Sequence, residues 1–424
     1  MSEFLAPLNY QRAKDTLRAL NFYTAYTPEG AARVAALLAE RYPAIFARTE
    51  QKRFANDALL LEMPGANVTD PLVFVSHMDS LPCREPMRSA ALPFPAPLGR
   101  AHVVALLEAL DALLASGYQP GGDLFLALSM DGLLAGEGAA AMAAHLKQRK
   151  IDPCFVLDHG GYATRAAFRR YLPKGAPLAL IGVTEKGRLD GVVRTALPPH
   201  GDERGADRPL NILLKSGSRL GLRARRASLC KASEMMLSGI ARHTPLPMKL
   251  LLIRPRLTFP LLRALWHKRA IMAQFFMNEL TVTGIRTQGE PSRSPTAASL
   301  TFSQLTVPGK PLARWKSALR RRACKGGAEL TFTTALESSP QSRVGGEAWD
   351  ALETAIEILF ERAVIVPCLA PTVTDGRFYT GLGGKVYRFS PFQLRSMEAL
   401  RGECTVDDDA LQTAVQFFRQ MLSV

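Results

Sequence analysis

Residues 72–82 read LVFVSHMDSLP, a short run of leucine, valine and phenylalanine that closes on a histidine, an aspartate and a proline. An apolar run of this length with polar residues at its end predicts a buried strand that delivers its last side chains to a cleft. Upstream, Ala58–Met63 is another apolar run. Downstream, His102 to Ser116 places Val103, Leu106, Leu107, Leu110 and Leu114 at helical spacing, with Gly117 set to cap it. Leu124–Ser129 reads as a strand, Glu137–Gln148 as a helix, and Cys154–Leu157 and Leu178–Val183 as two more strands. Alternating strands and helices predict an α/β fold with a mostly parallel sheet and helices on both faces. Ligands of such folds collect beyond the carboxyl ends of the strands, which singles out His77 with Asp79, Asp131, and Asp158 with His159.

The rhythm loosens near residue 188, where Glu279–Thr283 and Glu329–Thr333 remain as strand candidates. It returns with a helical stripe of Trp349, Leu352, Ile356, Leu359 and Phe360, a strand at Ala363–Val366, and a last helix beginning near the acidic Asp407–Asp409 and burying Leu411, Val415, Phe418 and Leu422. Charge marks the same interval. The chain carries +15 overall, and residues 188–336 hold 26 Lys+Arg against 8 Asp+Glu, a balance of +18 that leaves −3 for the rest. The expected organisation is one discontinuous α/β domain, residues 1–187 and 337–424, interrupted by a basic unit of residues 188–336. Its clusters Arg219/Arg223/Arg225/Arg226 and Arg320/Arg321/Arg322 lack the interleaved aromatics of a single-strand nucleic-acid binder. An anionic partner and a plain solvated basic face are the two readings of this surface.

Other classes are disfavoured by what the residues lack. The start MSEFLAPLNY has no basic segment followed by an apolar run, so no secretory leader is expected. The greasy stretch Leu250–Met277 is broken by Arg254, Arg256, Arg263, Lys268 and Arg269 and by Pro255 and Pro260, so no membrane span is expected. Six cysteines at 83, 154, 230, 324, 368 and 404 form no CxxC pair; Cys154 and Cys368 read as core thiols, and a reducing cytoplasm is the expected compartment. Neither a phosphate-cradling glycine loop nor a GxSxG nucleophile elbow occurs.

FVSHMDSLP (74–82) resembles the first zinc motif of the clan MH metallopeptidases that include carboxypeptidase S, aminoacylase, carnosinase and carboxypeptidase G. The resemblance continues in order through LLEALDALLASGYQP (106–120), LFLALSMDGLLAGEGA (124–139), CFVLDHGG (154–161), TEKGRLD (184–190) and TDGRFYTGLGGKVYRFSP (374–391). It implies an α/β domain that binds zinc and an inserted α+β lid, here the basic unit, that usually mediates dimerisation and closes over the substrate. It further implies two zinc ions held by histidines and carboxylates, a bridging aspartate, and a glutamate that deprotonates the bridging water.

Carried over residue by residue, His77 matches the first zinc ligand, Asp79 the carboxylate that orients it, and Asp158 a later ligand; a strand-end pair holding its loop is the alternative for His77 and Asp79. The bridging aspartate should fall in FPAPLGRAHVV (94–104), where Leu98 or Gly99 takes its place and Arg100 follows at a lysine position. His102 is close and could offer a nitrogen; a solvent-facing histidine at a helix start is the alternative. In the triplet that normally reads Asp-Glu-Glu, Asp131 is kept, Gly132 replaces the base and Leu133 replaces a ligand, while Glu137 reads as a solvated helix start. His159 replaces a glutamate and could bind a metal or its own loop. Arg401 stands at the last histidine, where a permanent cation cannot ligate a metal and would repel one or act as a surrogate charge beside Asp158 and Asp131. His200, in LPPHGDER (197–204), is near the lid's substrate-polarising histidine. Asp375 and Arg377 persist as loop scaffolding or pocket wall, and Phe378 replaces a histidine.

The bridge, the base, one carboxylate ligand and the last histidine are thus all replaced. The first expectation is a non-hydrolytic homologue, with no zinc or at most one, that binds a small carboxylate or peptide and forms a homodimer through its lid. The second is an active hydrolase of N-acyl amino acids or small peptides with one zinc on His77, Asp158 and His159 or His102.

Overall fold

The computed structural model describes residues 8–23, 25, 27–67, 70–79, 94–132, 136–196, 208–224, 227–266, 269–289, 295–395, 398 and 401–424. The chain opens with helices α1 (Tyr10–Leu20), α2 (Pro28–Arg41) and α3 (Pro43–Ala47), then strands β1 (Glu50–Arg53), β2 (Leu59–Met63), β3 (Leu72–His77) and β4 (Phe94–Pro97). Helix α4 (Leu98–Ala115), β5 (Leu124–Ser129), α5 (Glu137–Gln148), β6 (Phe155–Thr164), β7 (Leu178–Glu185) and β8 (Gly187–Ala196) follow. Helices α6 (Pro209–Ala224), α7 (Lys231–Ala241), α8 (Met248–Ile253), α9 (Pro255–Trp266) and α10 (Ala270–Ala273) lead to β9 (Glu279–Gln288) and β10 (Ala297–Thr306). The chain ends through α11 (Leu312–Ala323), β11 (Glu329–Leu336), α12 (Glu347–Leu359), β12 (Val364–Ala370), a short 3-10 turn at Asp375–Gly381, β13 (Val386–Gln393), β14 (Glu403–Val406) and α13 (Asp408–Leu422).

The α/β expectation holds. An eight-stranded sheet runs β1-β2-β5-β3-β6-β13-β7-β12, with parallel pairs at β5–β3, β3–β6, β6–β13 and β7–β12. Its central strands are apolar and buried on both faces, as a covered parallel sheet requires. Helix α4 starts a turn earlier than its periodicity predicts, directly after Pro97, and is buried along nearly its whole length. The acidic start of α13 is an N-cap: the Asp407 carboxylate accepts the Ala410 N–H at 2.8 Å.

A second sheet, β11-β8-β10-β9, is wholly antiparallel. Along β10, buried and half-buried positions alternate, the period-two signal of a sheet covered on one face. Helices α6 and α11 cover it, and Leu189, Val193, Leu213, Leu220, Leu300, Phe302 and Leu319 make its own apolar cluster. Charge and packing divide the chain differently, because α7 packs on β12 of the large sheet. Met236, Leu237, Ile240, Leu252, Leu262, Trp266 and Phe275 belong to the large core, although they lie inside the basic interval. Among the described residues, no helix is long and apolar enough to cross a membrane. Cys368 is buried and Cys154 half-buried.

Candidate functional site

Three adjacent central strands bring the chemistry together. In register, His77 of β3 faces Ser129 of β5, and Val75 faces Asp158 of β6. His77 Nδ1 lies 2.9 Å from Asp79 Oδ1, which also accepts the Gly132 N–H at 3.0 Å. Asp158 Oδ1 receives the backbone N–H and the ring Nδ1 of His159, both at 2.8 Å, and Oδ2 receives the Gly376 N–H at 2.6 Å. The His77 and His159 rings meet edge to face with centroids 4.5 Å apart. The Ser129 hydroxyl donates to Asp375. The sequence reading stops this strand at Leu157; the structure carries β6 on to Thr164, so Asp158 and His159 lie within it. Gly160, at φ +121°, and Gly161, where a Cβ would sit 2.0 Å from the Arg388 carbonyl oxygen, let the strand turn tightly past β13.

Burial would lower the His77 pKa, but the hydrogen bond and charge of Asp79, with the charges of Asp375 and Asp158, push it up to about 9. For Asp158, burial works upward and is outweighed by His159, by Thr374 and by the Arg388 charge, which bring it down to about 2. Burial raises Asp375 to about 7 against the pull of His77. His102 is driven down to about 3, first by burial and then by His159.

Several residues stand elsewhere than the sequence suggests. His102 is fully buried inside α4, not at a solvated helix start. Because α4 begins at Leu98, residue 102 is already in its second turn and packs against Phe418, with Nδ1 3.4 Å from Ser390 Oγ. Its Nε2 has no partner among the described residues. Arg401 is exposed and supplies no surrogate charge beside Asp158 or Asp131. The cation near Asp158 is Arg388, on the adjacent strand β13. Asp131 is buried and accepts Asn56 Nδ2 at 2.7 Å and the Gly138 N–H at 3.3 Å, which organises the start of α5. Glu137 is exposed there, as expected. Arg100 is buried and donates Nε to the Met78 carbonyl at 2.7 Å, Nη2 to that of Tyr23 at 2.8 Å, and Nη1 to that of Leu20. Leu133, His200, Arg225 and Arg226 lie outside the described residues.

Of the two candidates for the bridge position, Leu98 belongs to the apolar core and Gly99 lies against His77, Ser76 and His159. A Cβ on Gly99 would lie 2.6 Å from the His77 carbonyl oxygen, 3.2 Å from Ser76 Oγ and 3.6 Å from His159 Nε2. A Cβ on Gly132 would lie 2.5 Å from His77 Cβ and 2.7 Å from its Cγ. Both glycines therefore border His77, and neither has a side-chain carboxylate, although the Gly99 carbonyl accepts the Ser76 hydroxyl at 3.2 Å. Among the described residues, no three His, Cys, Asp or Glu side chains are grouped to hold a metal ion.

Sequence reasoning missed the charge cluster behind the pocket. Arg388 is fully buried; its Nε reaches Glu185 Oε2 and Thr374 Oγ1, each at 3.0 Å. Arg377 Nε approaches Glu185 Oε1 at 3.3 Å. Glu185 Oε2 also accepts the Thr374 N–H and hydroxyl at 2.9 and 2.8 Å, fixing the turn that presents Gly376 to Asp158. Asp375 and Arg377 are buried parts of this scaffold. The available signal was an arginine in the apolar strand VYRFSPF, since a buried guanidinium requires a partner.

The sequence profile "Peptidase family M20/M25/M40" matches residues 73–423. The human "N-fatty-acyl-amino acid synthase/hydrolase PM20D1" is 23% identical over 329 residues, covering 76% of this chain and 65% of that protein. The "Probable carboxypeptidase S-like 2" of Dictyostelium discoideum is 22% identical, covering 71% of this chain and 58% of its own. The chain thus spans less than two thirds of the length of these relatives. Among solved structures, the M20 family metallo-carboxypeptidase Sso-CP2 from Sulfolobus solfataricus superposes with a TM-score of 0.67 at 14% identity, over 97% of this chain and 98% of that one. Human carnosine dipeptidase 1 gives 0.64 at 12% identity, over 98% and 97%. With the profile spanning four fifths of its length, and with the sheet and site positions in the order the motifs require, the chain belongs to peptidase family M20/M25/M40.

Proposed function

We propose that this family member binds a small carboxylate or peptide-like ligand beside His77 and Asp158 without hydrolysing it, and that the antiparallel sheet and its covering helices within residues 188–336 supply a lid through which two copies associate. One observation supports the reading: Gly99 and Gly132 border His77, and the resemblance assigns the bridging carboxylate to Leu98 or Gly99 and the base to Gly132. The remaining donors do not fit a metal pair. Asp158 already accepts three hydrogen bonds, from His159 and Gly376, and His77 is held by Asp79. Loss of a general base lowers hydrolysis by about 10²–10⁴-fold on its own. The N-acyl amino acid class is the ligand suggested by the relatives' names.

The test is zinc analysis of protein purified without chelator, together with hydrolysis assays on N-acyl amino acids and dipeptides. Substoichiometric zinc and no zinc-dependent turnover are expected, with unchanged stability after chelator treatment. Stoichiometric zinc lost on His77→Ala, accompanied by turnover, would instead establish the single-zinc hydrolase.

A further inference from the structure

Away from the pocket, the segment after α7 exposes an unusual apolar stripe. Leu246, Leu250, Ile253, Leu257, Leu261 and Leu265 are 69%, 63%, 50%, 75%, 50% and 47% exposed. Leu257, Leu261 and Leu265, four residues apart, line one side of α9; Leu250 and Ile253, three apart, share a side of α8; Leu246 lies in the turn before it. The opposite side is anchored: Leu252, Leu262 and Trp266 are buried in the large core, and the Trp266 ring stacks on Phe276 with centroids 6.0 Å apart. The stripe is therefore fixed outward by the packing behind it. Isolated exposed leucines are ordinary, whereas six large exposed aliphatics between residues 246 and 265 mark a contact surface.

Charge identifies what the row contacts. Residues 242–269 contain seven Lys+Arg and no Asp or Glu. Arg242, Arg254, Arg256, Arg263 and Arg269 are exposed and Lys249 half-buried. Arg256 pairs with Glu234 at 2.5 Å, and among the described residues the other basic side chains of this flank make no ion pair. With 6 and 12 residues, α8 and α9 are far too short to span a bilayer. An apolar row of leucines beside a one-sign basic flank suits a helix lying in the headgroup layer, with leucines in the acyl region and cations among anionic headgroups.

We propose that the α8–α9 face docks the protein onto an anionic lipid bilayer. Binding is measured by co-sedimentation of the full chain with phosphatidylcholine vesicles, with and without phosphatidylserine. Retention on the anionic vesicles is expected, weakened by raised salt. The double variant Leu257→Glu/Leu261→Glu should lose affinity by at least about tenfold, since it removes two inserted leucines and adds like charge to the surface. Arg254→Gln/Arg263→Gln should lose about tenfold on anionic vesicles alone. All four side chains are exposed, so the thermal unfolding of both variants should match the parent and isolate the binding effect. Three results would each overturn the proposal: no binding to anionic vesicles; binding that survives the leucine double variant; or a parent dimer, silent towards vesicles, that Leu257→Glu splits into monomers. Capture by a soluble polyanion that ignores the leucine substitutions would also count against it. These readouts involve neither zinc nor hydrolysis, so they stand apart from the ligand-binding proposal.

Discussion

Arg388→Met is expected to lower folding stability by about 3–5 kcal/mol, because removing one partner of a buried ion pair leaves the other charge uncompensated. The orphan would be Glu185, which is fully buried and takes hydrogen bonds from Arg388 and from the Thr374 backbone and hydroxyl. Arg377, 3.3 Å from Oε1, cannot replace the lost bonds to Oε2 without leaving its own contact with the Glu337 carbonyl. The arginine is built in from the backbone outward: Gly182 lies opposite it in β7, and a Cβ there would come 3.0 Å from Arg388 Cβ. Chemical denaturation of Arg388→Met, Glu185→Met and the double variant checks this. The double variant should be more stable than the sum of the singles by about 0.5–3 kcal/mol, since it removes the charges together. A single variant within about 0.5 kcal/mol of the parent, the range of an ordinary surface substitution, or strict additivity, would refute the coupling.

The second large effect has the opposite sign. Lys186 is fully buried between β7 and β8, and its Nζ has no hydrogen-bond partner among the described residues. Burial brings its pKa down from 10.5 to about 8, partly countered by Glu279 and by Cys230. Below about pH 8 the folded protein must hold this ammonium in an apolar setting, while the unfolded chain hydrates it freely. Between about 8 and 10.5 the unfolded state holds this proton more tightly than the folded one, so the contribution of Lys186 to stability should rise with pH across that window. Lys186→Met keeps the volume and removes the charge. It should stabilise the protein at pH 7 by about 3 kcal/mol, following 1.36 kcal/mol per pKa unit, and that advantage over the parent should shrink as pH rises from about 8 to 10.5. Denaturation midpoints of parent and variant from pH 7 to above 10 test it. His77 and the buried thiols titrate alike in both proteins, so the difference between them reads Lys186 alone, and an advantage of the variant that stays constant over that range would contradict the assignment.

The fold was legible because its strands are apolar runs and its helices carry regular stripes; β3, β5 and α13 follow directly from their residues. The small sheet was harder. The burial of β9 is almost entirely solvent-facing, so it carries little hydrophobic pattern, and β8 and β10 alternate in a stretch where arginines dominate the eye. Charge also misled about packing: arginine runs report a surface, whereas Met236 and Trp266 decide which core their helices join. At the pocket, His77, Asp79, Asp158 and His159 could be named because they end or punctuate strands. The roles of Arg388, Glu185 and Arg100 could not, since each depends on partners between 14 and 203 residues away. Arg401 shows the converse limit, for a matching position in a motif does not place a side chain once the surrounding loop has changed.

Gly99 finally makes the pocket resistant to simple redesign. An aspartate there would place its Cβ 2.6 Å from a carbonyl oxygen at the end of β3, closer than real Cβ atoms approach, and that oxygen belongs to a sheet strand with little freedom to retreat. Glutamate at Gly132 would collide with the His77 side chain itself. Carboxylates at these two positions are therefore not reached by two codon changes alone. The backbone around His77 has to shift before either carboxylate can be admitted.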